Sequence, residues 1–278
     1  MTDMKATLRR VLNEPLVGFA PWILVVLVEG PGRVSLAAAL GAALALATCA
    51  AGVAVNVRPK LLDVTAITFF TVLAVVAALA SAGTQRWLGV WSAEMSNVMI
   101  AAITGLSLAV RRPFTLPYAR ETNDREFWDL PIFWRINYVI SAVWASAFVL
   151  ISVVGYIGDG PLHQPNNIWT AWIIPIGLLI LAIKFTGWYP DRAVAEAGLA
   201  DDGQRGQHPV SDLLRPLAAY LVPVGIVIMA LGGPLWWVGA ILVVAGIVAV
   251  RRLHQATRAA RAANAVPLPV APVGAMDR

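Results

Sequence analysis

The sequence predicts an all-α membrane protein: a polytopic transmembrane helix bundle of about eight spans, with N-terminus and C-terminus both cytoplasmic. Three observations predict it. Of 278 residues, 59% are apolar and 13% are charged, and the mean hydropathy is +0.71, whereas soluble domains carry about 45 to 50% apolar and about 25% charged residues. The apolar residues are gathered into runs near the length a bilayer crossing needs. A helix rises about 1.5 Å per residue and the hydrocarbon core is about 30 Å thick, so each crossing takes about 20 residues. Finally, lysines and arginines collect in alternate loops, as the positive-inside rule requires.

The eight runs cover residues 16–28, 34–57, 64–82, 87–110, 132–157, 169–185, 214–231 and 234–250. The first is short and contains Pro21, so it reads as a tilted span, a span lengthened by its flanks, or a re-entrant segment. With the N-terminus inside, Lys5, Arg9, Arg10, Arg58, Lys60, Arg111, Arg112, Arg120, Arg125, Arg192, Arg205, Arg251, Arg252, Arg258 and Arg261 fall on the inner side. Only Arg33 and Arg86 fall outside. A miscounted helix would flip every later loop, so this bias supports the eight-span count. Demoting the first run to a re-entrant hairpin would leave seven crossings and place Lys5, Arg9 and Arg10 outside. No small-residue cleavage site interrupts the first apolar run, so it reads as retained rather than as a signal peptide.

The segmentation that follows is a cytoplasmic segment 1–15, a six-span domain 16–187, a cytoplasmic loop 188–213, a two-span hairpin 214–250 and a basic tail 251–278. The tail continues the last helix as far as Asn264 and then becomes Pro-rich, a composition expected to be disordered. The lone Cys49 lies in an apolar run, reads as core packing and leaves no disulfide partner. His163, His208 and His254 fall in three separate polar segments, which gives no histidine metal site. No cofactor is expected. Convergent acids, a nucleophile with its base and metal ligands are missing from any one helix face, so the chain reads as non-enzymatic. The net charge is +5, with 18 arginines against 3 lysines. Divided among separate loops, that charge suggests anionic lipid rather than nucleic acid.

Two groups of residues are candidates for function. Residues 111–135, RRPFTLPYARETNDREFWDLPIFWR, carry three prolines that prevent one continuous helix. The Glu121 to Arg125 spacing allows a helical ion pair in a short interfacial turn. Phe127, Trp128 and Trp134 are expected at headgroup depth. The segment reads either as an interfacial elbow held by aromatics and snorkelling arginines, or as a lipid- or partner-docking surface built on Arg111, Arg112, Arg120, Arg125, Trp128 and Arg135.

The second group lies in the spans. Glu94, Asn97 and Thr104 share a face of the fourth run, where an intramembrane carboxylate marks a pathway or proton site by default. Counting back from Arg111 puts Glu94 near the outer surface, where water or Arg86 would solvate it. In the fifth run Asn137, Ser141, Trp144 and Phe148 fall at steps of four, three and four on one face. There the two polar residues are expected to bond a neighbouring helix, which favours a packing seam over a ligand face. Lys184 is expected to snorkel and Asp63 to cap a helix start.

Residues 16–185 resemble the intracellular septation protein A family of bacterial inner-membrane proteins. The resemblance rests on the opening LVGFAPWILVVLVEG, the tight hairpin and basic link at 57–61, and the loop with Arg86 and Trp87. WRIN at Trp134 to Asn137, NNIW at Asn166 to Trp169 and the following Gly177 complete it. It implies a multi-pass protein of the bacterial inner membrane, engaged in envelope upkeep or division through contacts with anionic lipids, other membrane proteins or itself. Outside the resemblance, the competing expectation is a small-solute or lipid transporter. Its pathway would run near Glu94 and Asn97, with helices broken at Pro21 and Pro175.

Overall fold

In a computed structural model the described residues are 2–30, 32–165, 167–199, 209–234 and 236–264. Ten α-helices account for most of them, with no strand among the described residues. They are α1 (Thr2–Leu12), α2 (Pro15–Val28), α3 (Val34–Ala54), α4 (Leu61–Leu79), α5 (Ala82–Ala109), α6 (Leu116–Thr122), α7 (Pro131–Asp159), α8 (Ile174–Glu196), α9 (Val210–Ala230) and α10 (Trp236–Asn264). A 3-10 turn, Arg125–Phe127, precedes α7, and a π-helical turn, Ile168–Ile173, precedes α8. The expected inner-side Arg205, the separate His208 and the Pro-rich stretch after Asn264 lie outside the described residues.

Among the described residues six helices are long and apolar enough to cross a membrane, or seven if α1 and α2 form one bent span. That makes the chain an integral, multi-pass membrane protein. The sequence count of eight also included α5, which at 28 residues has the length. Its apolarity is diluted by Glu94, Asn97 and a series of serines and threonines. The short first run corresponds to α2, and Pro21 sits inside that helix without breaking it. Nothing in the sequence reading anticipated α1, whose axis turns 67° from that of α2.

The chain divides into two compact units, Met1–Leu179 and Ile180–Arg278. In the first, α2, α3 and α4 pack as an antiparallel set and α5 packs on α7. Small residues make the α2–α3 approach possible: Ala37, Ala38, Ala42 and Ala45 are buried, and a methyl group on Gly41 would overlap Val25 and press on Phe70. Leu62, Ala66, Phe70, Leu73 and Ala77 form the buried stripe of α4 at helical spacing. Aromatic rings from α2 bind the two halves of this unit together. Phe19 stacks on Trp144 of α7 at 4.8 Å and meets Phe114 edge-on at 6.3 Å, while Trp22 packs on Phe70 at 4.8 Å.

In the second unit α9 and α10 cross at glycines. A methyl group on Gly225 would strike the carbonyl of Gly239, and one on Gly239 would strike that of Gly225, so only hydrogen at both positions permits the crossing. Ser211, Asp212 and Thr257 join the other end of this hairpin, with Thr257 Oγ1 donating to Asp212 Oδ1 at 3.1 Å.

Helix ends depart from the sequence reading in two places. The polar loop expected over 188–213 begins only after Glu196, because α8 continues through Pro190. Side chains one turn apart support that extension: Phe185 stacks on Tyr189 at 5.0 Å, Arg192 covers Trp188 at 5.0 Å, and Arg192 pairs with Glu196 at 2.7 Å. At the start of α8 the helix is not broken at Pro175. A π-helical turn widens the backbone just before it, where Pro175 has no N–H for the Ala171 carbonyl. Asn167 caps this turn through Oδ1, which accepts from the Trp169 amide at 2.9 Å.

Candidate functional site

Because the first unit's helices run antiparallel, its loops gather at two ends. One end holds the α1–α2 joint, the α3–α4 link and residues 110–131, and it carries most of the unit's basic residues. The other holds the α2–α3 and α4–α5 links and the end of α7, with the carboxyls of Glu29 and Asp159.

At the basic end the chain after α5 turns inward. Arg111 adopts φ 57°, and its amide and that of Arg112 close the helix onto the Leu108 and Ser107 carbonyls. Pro113, Phe114 and Thr115 are then buried, which no loop tolerates unless its polar groups find partners. Ser107 Oγ accepts the Phe114 amide at 3.2 Å. The Thr115 hydroxyl lies 3.0 Å from the Asn137 carbonyl, 3.1 Å from Asn137 Oδ1 and 2.9 Å from Ser141 Oγ. Since a hydroxyl donates once, Thr115 donates to Asn137 and accepts from Ser141. Ser141 Oγ in turn accepts the Thr115 amide at 3.4 Å. Asn137 and Ser141 therefore bond a buried loop rather than the neighbouring helix expected from the sequence. Trp144, one turn below, stacks on Phe19, and Thr104 belongs to this side through its carbonyl, which accepts from Ser107 Oγ at 2.6 Å.

The loop's outer part carries the arginines. The Arg120 guanidinium lies 5.2 Å from the Trp128 ring and 5.5 Å from the Trp134 ring, and Arg125 lies 5.7 Å from Trp128. Trp128 is fixed by its indole N–H, which donates to the Asn123 carbonyl at 3.1 Å. Buried Arg120 Nε has no hydrogen-bond acceptor. Arg111, Arg112, Arg125 and Arg135 are exposed at the same end. The expected Glu121–Arg125 ion pair does not form, because α6 ends at Thr122 and Glu121 instead faces Lys60.

Lys60 is the residue that sequence reading missed. It is only 4% exposed, its Nζ donates to Asn13 Oδ1 at 3.2 Å, lies 3.5 Å from Glu121 Oε2 and sits 4.1 Å above the Tyr118 ring. Its own amide donates to Asp63 Oδ2 at 2.9 Å, so Asp63 caps α4 as expected, from the third helical position. Beside it a cavity of about 20 Å³, room for about one water molecule, is lined by Leu12, Gly18, Cys49, Arg58, Asp63 and Tyr118. Burial lowers the pKa of Lys60, opposed by the neighbouring Glu121 carboxylate, and burial raises that of Tyr118. No local signal could have shown the Lys60 contacts, since Asn13 lies 47 residues away in sequence.

The opposite end holds Glu29, Glu94 and Asp159. Glu94 is only 6% exposed, so it is not solvated by water or by Arg86 as expected. Its Oε1 accepts from Asn97 Nδ2 at 3.1 Å, and its carboxylate fills the space a side chain on Gly155 of α7 would occupy. Glu29, at the end of α2, accepts from the Ser92 hydroxyl of α5. Asp159, at the end of α7, lies at the same end. The second carboxyl oxygens of Glu29 and Glu94 are buried without a hydrogen-bond partner among the described residues. Among the described residues no group of three or more His, Cys, Asp or Glu side chains has the arrangement of a metal site. The sequence stripe Glu94, Asn97, Thr104 is thus divided, its first two members at the acidic end and Thr104 joined to the loop network.

Compared with protein-family models, curated proteins and solved structures, the chain matches none.

Lys60 supplies a pH test. An unfolded lysine holds its proton up to its ordinary pKa of 10.5, while the folded chain releases it earlier. The unfolded state then binds more protons, so this residue's contribution to stability rises with pH between its folded value and 10.5. Thermal unfolding of the detergent-solubilised protein at successive alkaline pH values will show a rise in Tm, relative to the Lys60→Met variant, as pH climbs through that interval. A difference that falls over the same range would contradict the assignment.

Proposed function

We propose that the chain is a non-enzymatic membrane protein whose arginine- and tryptophan-bearing end faces the cytoplasm and docks on anionic lipid headgroups or partner membrane proteins, in support of bacterial envelope maintenance. The supporting observation is the arginine–tryptophan cluster, in which Arg120 lies against Trp128 and Trp134 and exposed Arg125 against Trp128, neither arginine forming an ion pair with a described residue. A guanidinium oriented by aromatic rings and not spent on a carboxylate keeps its donors for a phosphate or carboxylate from outside. The buried Thr115 network fixes the root of the loop, so the arginines are presented from a rigid base. The resemblance to septation protein A agrees with an envelope role in the bacterial inner membrane. With a photo-crosslinking residue in place of Phe127, cell membranes should yield defined adducts, and Arg120→Ala with Arg125→Ala should reduce them several-fold. Recovery no greater than from a scrambled 111–131 loop would contradict the reading.

A second reading is favoured by one observation. The buried carboxyl oxygens of Glu94 and half-buried Glu29, which have no hydrogen-bond partner among the described residues, with Asp159 at the same end, are an expensive arrangement that commonly marks a proton or cation path. On this reading the protein moves protons, alone or with a solute, past Glu94 and Asn97. Proteoliposomes loaded with a pH-sensitive dye would show proton entry under an imposed potential, lost in Glu94→Gln. Equal rates for wild type, Glu94→Gln and empty vesicles would eliminate it.

A further inference from the structure

We propose that α1 is an in-plane amphipathic helix that docks on anionic phospholipid, a surface separate from the 111–135 loop and independent of it. Met4, Leu8 and Val11 recur at steps of four and three, so they share one side of the helix, and they are 71%, 39% and 50% exposed. Among the described residues none closes over this stripe, which stays exposed along its length. Lys5, Arg9 and Arg10 lie on the remaining circumference, exposed and without an ion pair to any described residue. A helix with an uncovered aliphatic stripe and a cationic flank is stable where both are satisfied together, at the boundary between acyl chains and headgroups.

Geometry places α1 there. At 11 residues it spans about 17 Å, too short to cross a bilayer on its own. Its 67° turn from α2 directs it away from the path of the membrane-entering helix. The joint between them is held by the buried Asn13 side chain, which accepts from Lys60 Nζ at 3.2 Å, so α1 is tethered beside the α3–α4 link. Three cations that lack a protein partner select negatively charged headgroups over zwitterionic ones, by local attraction to phosphate. The occupant is therefore an anionic phospholipid leaflet, with acyl chains under Met4, Leu8 and Val11 and phosphates beside Lys5, Arg9 and Arg10.

The test uses the full chain in a Cys49→Ala background, reconstituted in nanodiscs of phosphatidylcholine alone or mixed with phosphatidylglycerol. Single cysteines at positions 4, 6, 8 and 11 carry a spin label, and collision with oxygen is compared with collision with a water-soluble nickel chelate. In the anionic discs, labels at 4, 8 and 11 should be several-fold more accessible to oxygen than to the chelate, while the label at 6 stays open to the chelate. Lys5→Glu with Arg9→Glu and Arg10→Glu should move the label at 8 into water. Equal chelate access at all four positions overturns the proposal. So does a label at 8 shielded from both reagents, which would mean a protein partner, and so does immersion identical in both lipids and in the triple variant. Capture by the 111–131 loop reads out separately, so failure of either proposal leaves the other standing.

Discussion

A hydroxyl, amide or carboxyl inside a bilayer has no water to turn to, so every polar group placed there must be answered within the protein. In the first unit that constraint is met around Thr115 at one end and left open at Glu29 and Glu94 at the other. Ser107 and Ser141 accept the amides of Phe114 and Thr115, and Asn137 accepts the Thr115 hydroxyl, so the polar groups of this buried loop are answered. Because these bonds are mutual, the loop has one position. Its arginines and tryptophans inherit that position, which is what turns a string of interfacial residues into a fixed surface.

At the acidic end the same rule leaves a remainder. Glu94 reaches a helix face only because residue 155 is glycine, and Ser92 answers one oxygen of Glu29, yet the second oxygen of each carboxyl stays unanswered. Burying such groups costs free energy, and proteins that keep them usually have a use for them. Lys60 is a third case, buried and partnered by Asn13, Glu121 and the Tyr118 ring, which offset part of what burial costs its charge. Thr115, Glu94 and Lys60 are buried to a similar degree and differ in how completely their bonds are met.

The helices were legible in the sequence because apolar length is a local property, and α3, α4, α7, α9 and α10 lie where the hydropathy placed them. What was not legible depended on distance or on short range. Counting residues from Arg111 gives the depth of Glu94 but not that Gly155 faces it, and no spacing rule links Lys60 to Asn13. Thr115 gave no signal of its own; only its companions Asn137 and Ser141 did, and they announced a seam without naming its other side. Helix α1 is too short and too polar for a hydropathy window, although its apolar side chains follow the helical period. Pro21 and Pro175 were read as breaks because proline lacks a donor, yet α2 runs through the first and a π-helical turn leads into α8 at the second.

The account depends on the first unit being threaded through the bilayer with its basic loop at one surface and the end of α7 at the other. Single cysteines at Arg125 and Gly160, in a Cys49→Ala background, probed in sealed inside-out and right-side-out vesicles with a membrane-impermeant maleimide, measure this directly. The account predicts labelling of residue 125 in one orientation and of residue 160 in the opposite one. Labelling of both from the same side would contradict it.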